Sequence, residues 1–195
     1  ISFVSVVPFI IYAEVKRKMK RVFVGCVALL LIAEIVLWGS GPHFWELVIG
    51  VQIFFLAFNL MEALLPSLIS KESPAGYKGT AMGIYSTSQF LGVAIGGSLG
   101  GWVDGLFDSQ TVFLAGALLA MVWLLVAGTM KEPRYVSSLR VEIPPEVEIS
   151  DALKARLEAT EGVSEVMIVA DERSAYVKID SKVTNRFEVE QALKA

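Results

Sequence analysis

The chain has very little cysteine and histidine, the residues that bind zinc in most structural sites. Its 195 residues include one cysteine, Cys26, and one histidine, His43. A single cysteine inside an apolar run excludes a disulfide, a zinc cluster and a CxxC redox site within the chain. His43 has no second ligand nearby, so we expect a surface residue, and a pH-sensing role stays open. We expect no metal and no cofactor.

Basic residues are missing from two of the short segments that separate the apolar runs. The segments GSGPH, around Pro42, and DGLFDSQ, around Asp104, contain no Lys or Arg. The alternate segments carry the basic residues Lys16, Arg17, Lys18, Lys20, Arg21, Lys71, Lys78, Lys131 and Arg134. Because basic loops of membrane proteins are retained in the cytoplasm, this alternation predicts that the segment around Pro74 and everything after Lys131 are cytoplasmic.

Apolar residues are what the chain has in excess. They make up 54% of it and the mean hydropathy is +0.60, more than one soluble core needs. A membrane-spanning helix takes about 20 mostly apolar residues. Four runs have that length, at 22–39, 44–68, 80–103 and 111–130. The run 1–13 is too short and begins without Met, so we expect the end of a span whose start is missing, and residues 1–132 as the membrane part of a larger polypeptide.

The composition changes after Pro133. Residues 136–195 are polar and moderately acidic, which predicts a soluble domain and argues against a nucleic-acid partner, because such binding needs a basic surface. The residue patterns predict the order β-α-β-β-α in SLRVEIP, SDALKARLEATE, VSEVMIVAD, SAYVKID and NRFEVEQALKA. This order is that of a ferredoxin-like α/β domain without its final strand. The strand either follows Ala195 or is absent, and the domain is either an interaction or regulatory module or a stabilising appendage.

Three polar residues in the second complete run are candidates for a transport pathway. Gln52, Asn59 and Glu62 are spaced by seven and three residues, which places them on roughly one face of a helix. Polar groups within a membrane are costly unless they face a bundle interior or water, so they mark functional positions. The alternative is that Glu62, close to Pro66, lies at the interface and pairs with a basic loop.

A second carboxylate, Glu34, lies two thirds of the way along the first complete run among Leu, Ile, Ala and Val. Desolvation there suits a group that binds and releases protons. However, Trp38 is a typical interfacial residue four positions later, so Glu34 also fits a local structural role near the outer surface. Asp104, at the outer end of a later run, is either a proton entry group or, as we favour, a solvated surface carboxylate.

The third complete run contains a series of glycines four residues apart. Small residues let helices approach closely and slide, so we predict packing or gating by the glycines Gly92, Gly96, Gly97, Gly100 and Gly101. Close packing without motion is the alternative. Ser86, Ser88 and Gln89 interrupt the same run, and they either bond to a neighbouring helix or contact substrate.

The stretch FNLMEALLPSLISKESPAGYKGTAMGIYSTSQFLGVAIGGSLGGW, from Phe58 to Trp102, is similar to the tenth and eleventh helices of bacterial drug/proton antiporters. The membrane part resembles the last five of twelve helices of a major facilitator superfamily carrier. The segment AEVKRKMKR resembles that family's cytoplasmic loop motif, with Glu14, Arg17 and Lys18 but without the glycine. A carrier of this type with a short ferredoxin-like tail resembles the YajR group.

The resemblance implies a multi-pass exporter of the inner membrane, driven by proton entry, with a small-molecule substrate. In such carriers the substrate site lies between two halves near the middle of the bilayer, so the missing N-terminal half is an expected partner. A membrane-anchored sensor whose output is the tail is the alternative, but it gives Asn59, Glu62 and the glycines no role. An enzyme is not expected, because no nucleophile, metal set or acid–base pair is grouped at one depth.

Overall fold

The computed structural model describes residues 2–133 and 135–194, with side chains described from residue 8 to residue 193. Arg134 and Ala195, which the sequence analysis used for the basic loop and the chain end, lie outside the described residues, as does Ile1. The described chain forms two compact units. One contains residues 2–68 and 84–133, and the other contains residues 69–83 and 135–194.

Five helices precede the tail. They are α1 (Ser2–Val15), α2 (Met19–Gly39), α3 (Phe44–Glu72), α4 (Lys78–Leu106) and α5 (Ser109–Gly128). Each overlaps one apolar run, and α3 and α4 extend beyond theirs into the polar segment around Pro74. Pro66 lies inside α3 without ending it.

Three of the described helices, α2, α3 and α5, are long and apolar enough to cross a membrane. The helix α4 has 29 residues, the same length as α3, but is not among them. Its glycines and the polar residues around Ser86 and Gln89 dilute its apolar content. The sequence analysis expected four complete spans, and three of the described helices meet the criteria of length and composition.

The helices α2 and α5 pack along each other. The ring of Phe23 on α2 meets the edge of the Trp123 ring on α5, with centroids 6.2 Å apart. Cys26 lies one turn from Phe23 and is 2% exposed. The contact between α2 and α3 is close at Gly50, where a Cβ atom would lie 2.7 Å from Cδ2 of Leu37. Only a residue without a side chain fits there without displacing Leu37.

The end of α1 explains how the chain turns without the glycine that the family loop motif contains. The amide of Lys18 donates to the carbonyl of Ala13 and the amide of Arg17 donates to that of Glu14, which is the hydrogen-bond pattern of a Schellman motif. Arg17 takes the left-handed position at φ 50°. A glycine adopts this conformation freely, whereas a residue with a Cβ is disfavoured there by about 1–2 kcal/mol.

The tail forms a three-stranded antiparallel sheet with two helices. Its elements are β1 (Ser137–Glu142), α6 (Asp151–Glu158), β2 (Val163–Val169), β3 (Ser174–Ile179) and α7 (Arg186–Lys194). The strand order is β1-β3-β2, with Val177 opposite both Leu139 and Val166. This confirms the predicted membrane-helix and ferredoxin-like α/β fold class.

The apolar core of the tail lies between one sheet face and the helices α6 and α7. It consists of Val141, Ile143, Leu153, Leu157, Val166, Ala175, Val177, Ile179, Val189 and Leu193. Both helices have side-chain caps at their N-termini. Ser150 Oγ accepts from the amide of Leu153 at 3.3 Å, and Asn185 Oδ1 accepts from the amide of Glu188 at 3.1 Å.

Candidate functional site

A carboxylate–amide pair joins α3 to α4. Gln89 Nε2 donates a hydrogen bond to Glu62 Oε1 at 2.6 Å, and both side chains are half-buried. Tyr85 lies one turn before Gln89 on the same face of α4 and is half-buried. The described partner of Glu62 is thus an amide on the next helix, not a basic residue of a loop.

This pair joins a carboxylate to an amide group that can both donate and accept hydrogen bonds. An ionised carboxylate only accepts hydrogen bonds, and the Gln89 amide group supplies a donor for it. Once protonated, the carboxyl group of Glu62 gains a donor of its own, and the amide oxygen of Gln89 is an acceptor for it. The pair can therefore be satisfied in both protonation states by rotating one side chain.

The other members of the α3 stripe are placed differently. Asn59 is half-buried and Gln52 is exposed. Glu62 accepts the hydrogen bond from Gln89 on α4. The seven-residue spacing puts these residues on one face, but it does not bring them to a single point.

Glu34 lies against α5. A Cβ atom on Gly116 would be 2.7 Å from Glu34 Oε2 and 2.9 Å from its Cδ. The side chain of Glu34 is half-buried in this contact, and the absence of a side chain at Gly116 provides the room for its carboxyl group. Glu34 therefore lies between α2 and α5, whereas the neighbouring Trp38 is 46% exposed.

The predicted glycine series on α4 makes little contact with the described residues. A Cβ atom would meet nothing within 4 Å at Gly92, Gly96, Gly97 or Gly101, and at Gly100 it would meet only Val112, at 3.8 Å. None of the described α4 residues is buried. Close helix packing or gating at these glycines stays a prediction, since the described residues make few contacts there.

The cytoplasmic loop residues predicted from the family motif take part in helix contacts. Ser67 on α3 donates a hydrogen bond to Glu14 Oε1 at 2.7 Å, which links α1 to α3. Arg17 occupies the left-handed turn after α1. Lys18 precedes α2, and its ammonium group lies 5.7 Å from the centroid of the Tyr12 ring. The motif residues thus fix how the chain passes from α1 to α2.

The two predicted surface residues lie near the segments without basic residues, His43 in the loop before α3 and Asp104 in the last turn of α4. Asp104 is exposed and accepts a hydrogen bond from Ser109 at 2.7 Å. Hydrogen bonds from the side chain and then the backbone of Thr111 hold the pKa of Asp108 below its usual range. His43 is exposed, with its Nδ1 3.1 Å from the carbonyl oxygen of Ser40 and 4.0 Å from Glu46.

Sequence reasoning missed Tyr85, Ser67 and Gly116. Tyr85 had a usable signal, since it lies four residues before Gln89 and therefore on the same face of α4. Ser67 and Gly116 had none, because their partners are 53 and 82 residues away along the chain. Both contacts depend on which helices lie next to each other, and the sequence pattern of a single helix does not show this.

Comparisons with known proteins agree with this architecture. The family model of the Major Facilitator Superfamily matches residues 5–165. The chain belongs to the major facilitator superfamily. A model described as the YajR YAM domain matches residues 139–195. The two matches overlap over 139–165, and these residues form most of β1, all of α6 and the start of β2, so they lie in the tail.

Among curated relatives, the inner membrane transport protein YajR of Escherichia coli is 75% identical over 194 residues, which cover 100% of this chain and 43% of that protein. An uncharacterized transporter of Buchnera aphidicola is 38% identical over 96 residues, 49% of this chain and 25% of its own length. An uncharacterized MFS-type transporter of Pseudomonas aeruginosa is 29% identical over 107 residues, 55% of this chain and 26% of its own. The chain thus spans less than half the length of these relatives. It is a superfamily member of the inner membrane, with membrane helices followed by a soluble domain.

Proposed function

We propose that this chain is the C-terminal half of a proton-coupled exporter of small molecules, in which Glu62 binds and releases the proton that drives transport. The hydrogen bond of 2.6 Å between Glu62 and Gln89 is the observation that carries the proposal. It ties a carboxylate on one helix to a neighbouring helix, and ionisable groups in membrane helices occur chiefly where ions or substrates pass.

Protonation of Glu62 changes what holds α3 to α4. The ionised carboxylate attracts the Gln89 amide donor, and a charge-assisted hydrogen bond is roughly twice as strong as a neutral one. Protonation weakens this link, which makes the distance between α3 and α4 sensitive to proton entry. In superfamily carriers transport proceeds by rocking one half against the other around a central site, so a proton-dependent link between two helices of one half is a suitable coupling device.

The remaining assignments of the proposal follow from the same architecture. The N-terminal half of the carrier supplies the rest of the substrate site, and its helices pack on the glycine face of α4. A Cβ atom added there at Gly92, Gly96 or Gly97 would meet nothing within 4 Å among the described residues. Residues 1–132 form the membrane part, and residues 136–195 form a cytoplasmic domain. Glu34 is a second proton-binding candidate between α2 and α5.

Proton flux in proteoliposomes containing the full-length carrier tests this proposal. Hydrophobic cations and small metabolites are offered as substrates, and wild type is compared with Glu62→Gln, Glu34→Gln and Glu46→Gln. Glu46 is a matched control because it lies in the first turn of α3, where its side chain is 54% exposed. We expect substrate-driven proton movement to be lost in Glu62→Gln and retained in Glu46→Gln.

Three results contradict the proposal in different ways. Flux that is unaffected by Glu62→Gln places the coupling group elsewhere. Loss in Glu34→Gln alone transfers the proton-binding role to the α2–α5 contact. Absence of proton movement with every substrate favours a uniporter or a membrane-anchored sensor over an antiporter.

A further inference from the structure

One face of the tail's sheet is covered by the helices α6 and α7, and the opposite face is covered by neither. Residues of β3 alternate between the two faces, so Ala175, Val177 and Ile179 enter the core while Tyr176 and Lys178 point to the opposite face. We call this second side the open face. A lysine on such a face is normally solvated, because its ammonium group is costly to bury.

Lys178 is nevertheless only 5% exposed. Residues 69–83, which include the end of α3, the connection to α4 and the start of α4, belong to the same compact unit as the tail. Lys178 Nζ donates a hydrogen bond of 2.7 Å to the backbone carbonyl of Lys71. The two residues are 107 positions apart in the chain, so tertiary docking brings them together.

The acceptor of this hydrogen bond is a helix terminus. Lys71 is the penultimate residue of α3, which ends at Glu72. The last carbonyls of a helix have no partner within it, and they carry the negative end of the helix dipole. An ammonium group on another element can donate a hydrogen bond to such a carbonyl, and its positive charge complements the helix dipole. Lys178 thus acts as a C-terminal cap of α3.

Two further contacts and the burial of two residues concern the same segment. Gly76 has φ of +79°, and a Cβ atom on it would lie 2.5 Å from Sδ of Met167 on β2. Ser73 and Ala75 are 6% and 3% exposed although they lie in a connection between helices. The ammonium group of Lys71 lies 5.8 Å from the centroid of the Tyr135 ring, just before β1. Backbone, side-chain and apolar contacts therefore all involve the same short segment.

We propose that the open face of the tail, centred on Met167 and Lys178, is the binding surface for the segment between α3 and α4. The tail is then attached to the carrier twice, through its chain connection after α5 and through this docking. The second attachment lies at the C-terminal end of α3 and in the connection that follows it. The docking does not depend on which substrate or ion the carrier moves.

Hydrogen–deuterium exchange of the full-length carrier in lipid nanodiscs tests the docking from the tail side. The readout is the exchange rate of amides in residues 69–83, and the variants Lys178→Met and Met167→Ala lie outside that segment. In Lys178→Met a hydrogen bond from a charged group is lost, so the exchange rate of these amides should increase about tenfold. Lys182→Met is the matched control, because Lys182 is exposed in the turn after β3. In this variant the amides of residues 69–83 should exchange at the wild-type rate.

Lysine reactivity in the wild-type carrier provides a test that needs no variant. Under limited acetylation, the docked Lys178 should react at least about tenfold more slowly than the exposed Lys182, as expected from the energy of a charged hydrogen bond. Exchange at the amides of Ala175 and Val177 verifies that each variant keeps a folded tail. Unchanged exchange of residues 69–83 in both variants overturns the proposal, and so does equal reactivity of Lys178 and Lys182. Both readouts are independent of proton flux, so they separate failure of the docking from failure of the proposed transport function.

Discussion

The membrane helices and the tail use apolar side chains in opposite ways. In the tail, ten apolar residues form one buried cluster between sheet and helices, including Leu157 at 0% exposure. In the helix α5, Leu119 and Leu125 are 72% and 69% exposed. Burial away from water stabilises the tail, whereas lipid is as apolar as leucine and gives helices no such reason to associate.

Contacts between the membrane helices depend instead on small residues and on a few polar ones. Gly50 admits Leu37, and Gly116 admits the carboxyl group of Glu34. Hydrogen bonds link α3 to α4 through Glu62 and Gln89 and link α1 to α3 through Glu14 and Ser67. Deleting apolar volume should therefore damage the tail, and adding volume should damage the membrane helices.

The largest effect is expected from Leu157→Ala. It leaves a cavity in the tail's core and should lower the free energy of unfolding of the tail by about 3 kcal/mol. Exchange of the β2 and β3 amides in the full-length carrier measures this. The control Leu119→Ala should change the stability of the membrane part by about 0.5 kcal/mol or less. A comparable loss in both variants would contradict the contrast between the two regions.

Gly116→Val tests the opposite change, added volume between α2 and α5. Its side chain must displace the carboxyl group of Glu34, and overpacking of this kind costs about 2 kcal/mol. The measurement is thermal unfolding of the detergent-solubilised full-length carrier. Gly128→Val is the control, because a Cβ atom on Gly128 meets nothing within 4 Å.

A double variant sharpens this result. Combining Gly116→Val with Glu34→Ala removes the group that the new side chain displaces, so part of the lost stability should return. Purely additive losses would show that Glu34 and Gly116 do not act on each other.

Ser150→Ala removes the side-chain cap of α6. The hydrogen bond from the Leu153 amide to Ser150 Oγ is lost, and the tail should lose about 1 kcal/mol of stability. This corresponds to roughly fivefold faster exchange of amides that exchange by unfolding of the tail. Ser138→Ala, at an exposed position on β1, should leave these rates unchanged. Faster exchange in both variants would show that the effect of Ser150→Ala does not come from loss of the helix cap.

The smallest loss of stability is expected from Gln89→Leu. Hydrogen bonds between membrane helices contribute about 0.6 kcal/mol on average, so thermal unfolding of the carrier should shift only slightly. Ser98→Ala is the control, because Ser98 bonds to the carbonyl of Ala94 in its own helix. A large shift in Gln89→Leu alone would mean that Glu62 and Gln89 serve stability more than transport.

The sequence predicted the tail well because its patterns are local. Alternation in VSEVMIVAD and SAYVKID gave two strands, and Leu153 and Leu157 gave the buried face of a helix. The spacing of Asn185 and Glu188 is that of a capping box, and Asn185 Oδ1 accepts from the Glu188 amide. Apolar runs likewise predicted the helices α2 to α5.

The site was less predictable because its partners are distant in the chain. Helical periodicity placed Glu62 and Gln89 correctly on their own helices, but it carries no information on which helix comes next to which. The same limit hid the contacts of Glu34 with Gly116 and of Lys178 with Lys71. In the tail, covalent connections of a few residues fix neighbours, whereas long apolar helices can be arranged in many ways of similar hydrophobic energy.

The burial of Cys26 has a practical consequence for spectroscopy. At 2% exposure the one thiol of this chain is shielded from maleimide and nitroxide reagents. A cysteine introduced at an exposed position, such as Tyr77 near the start of α4 or Leu119 on α5, will therefore be labelled first. Pairs of fluorophores or spin labels placed in this way would report how far individual helices travel without removal of the native thiol.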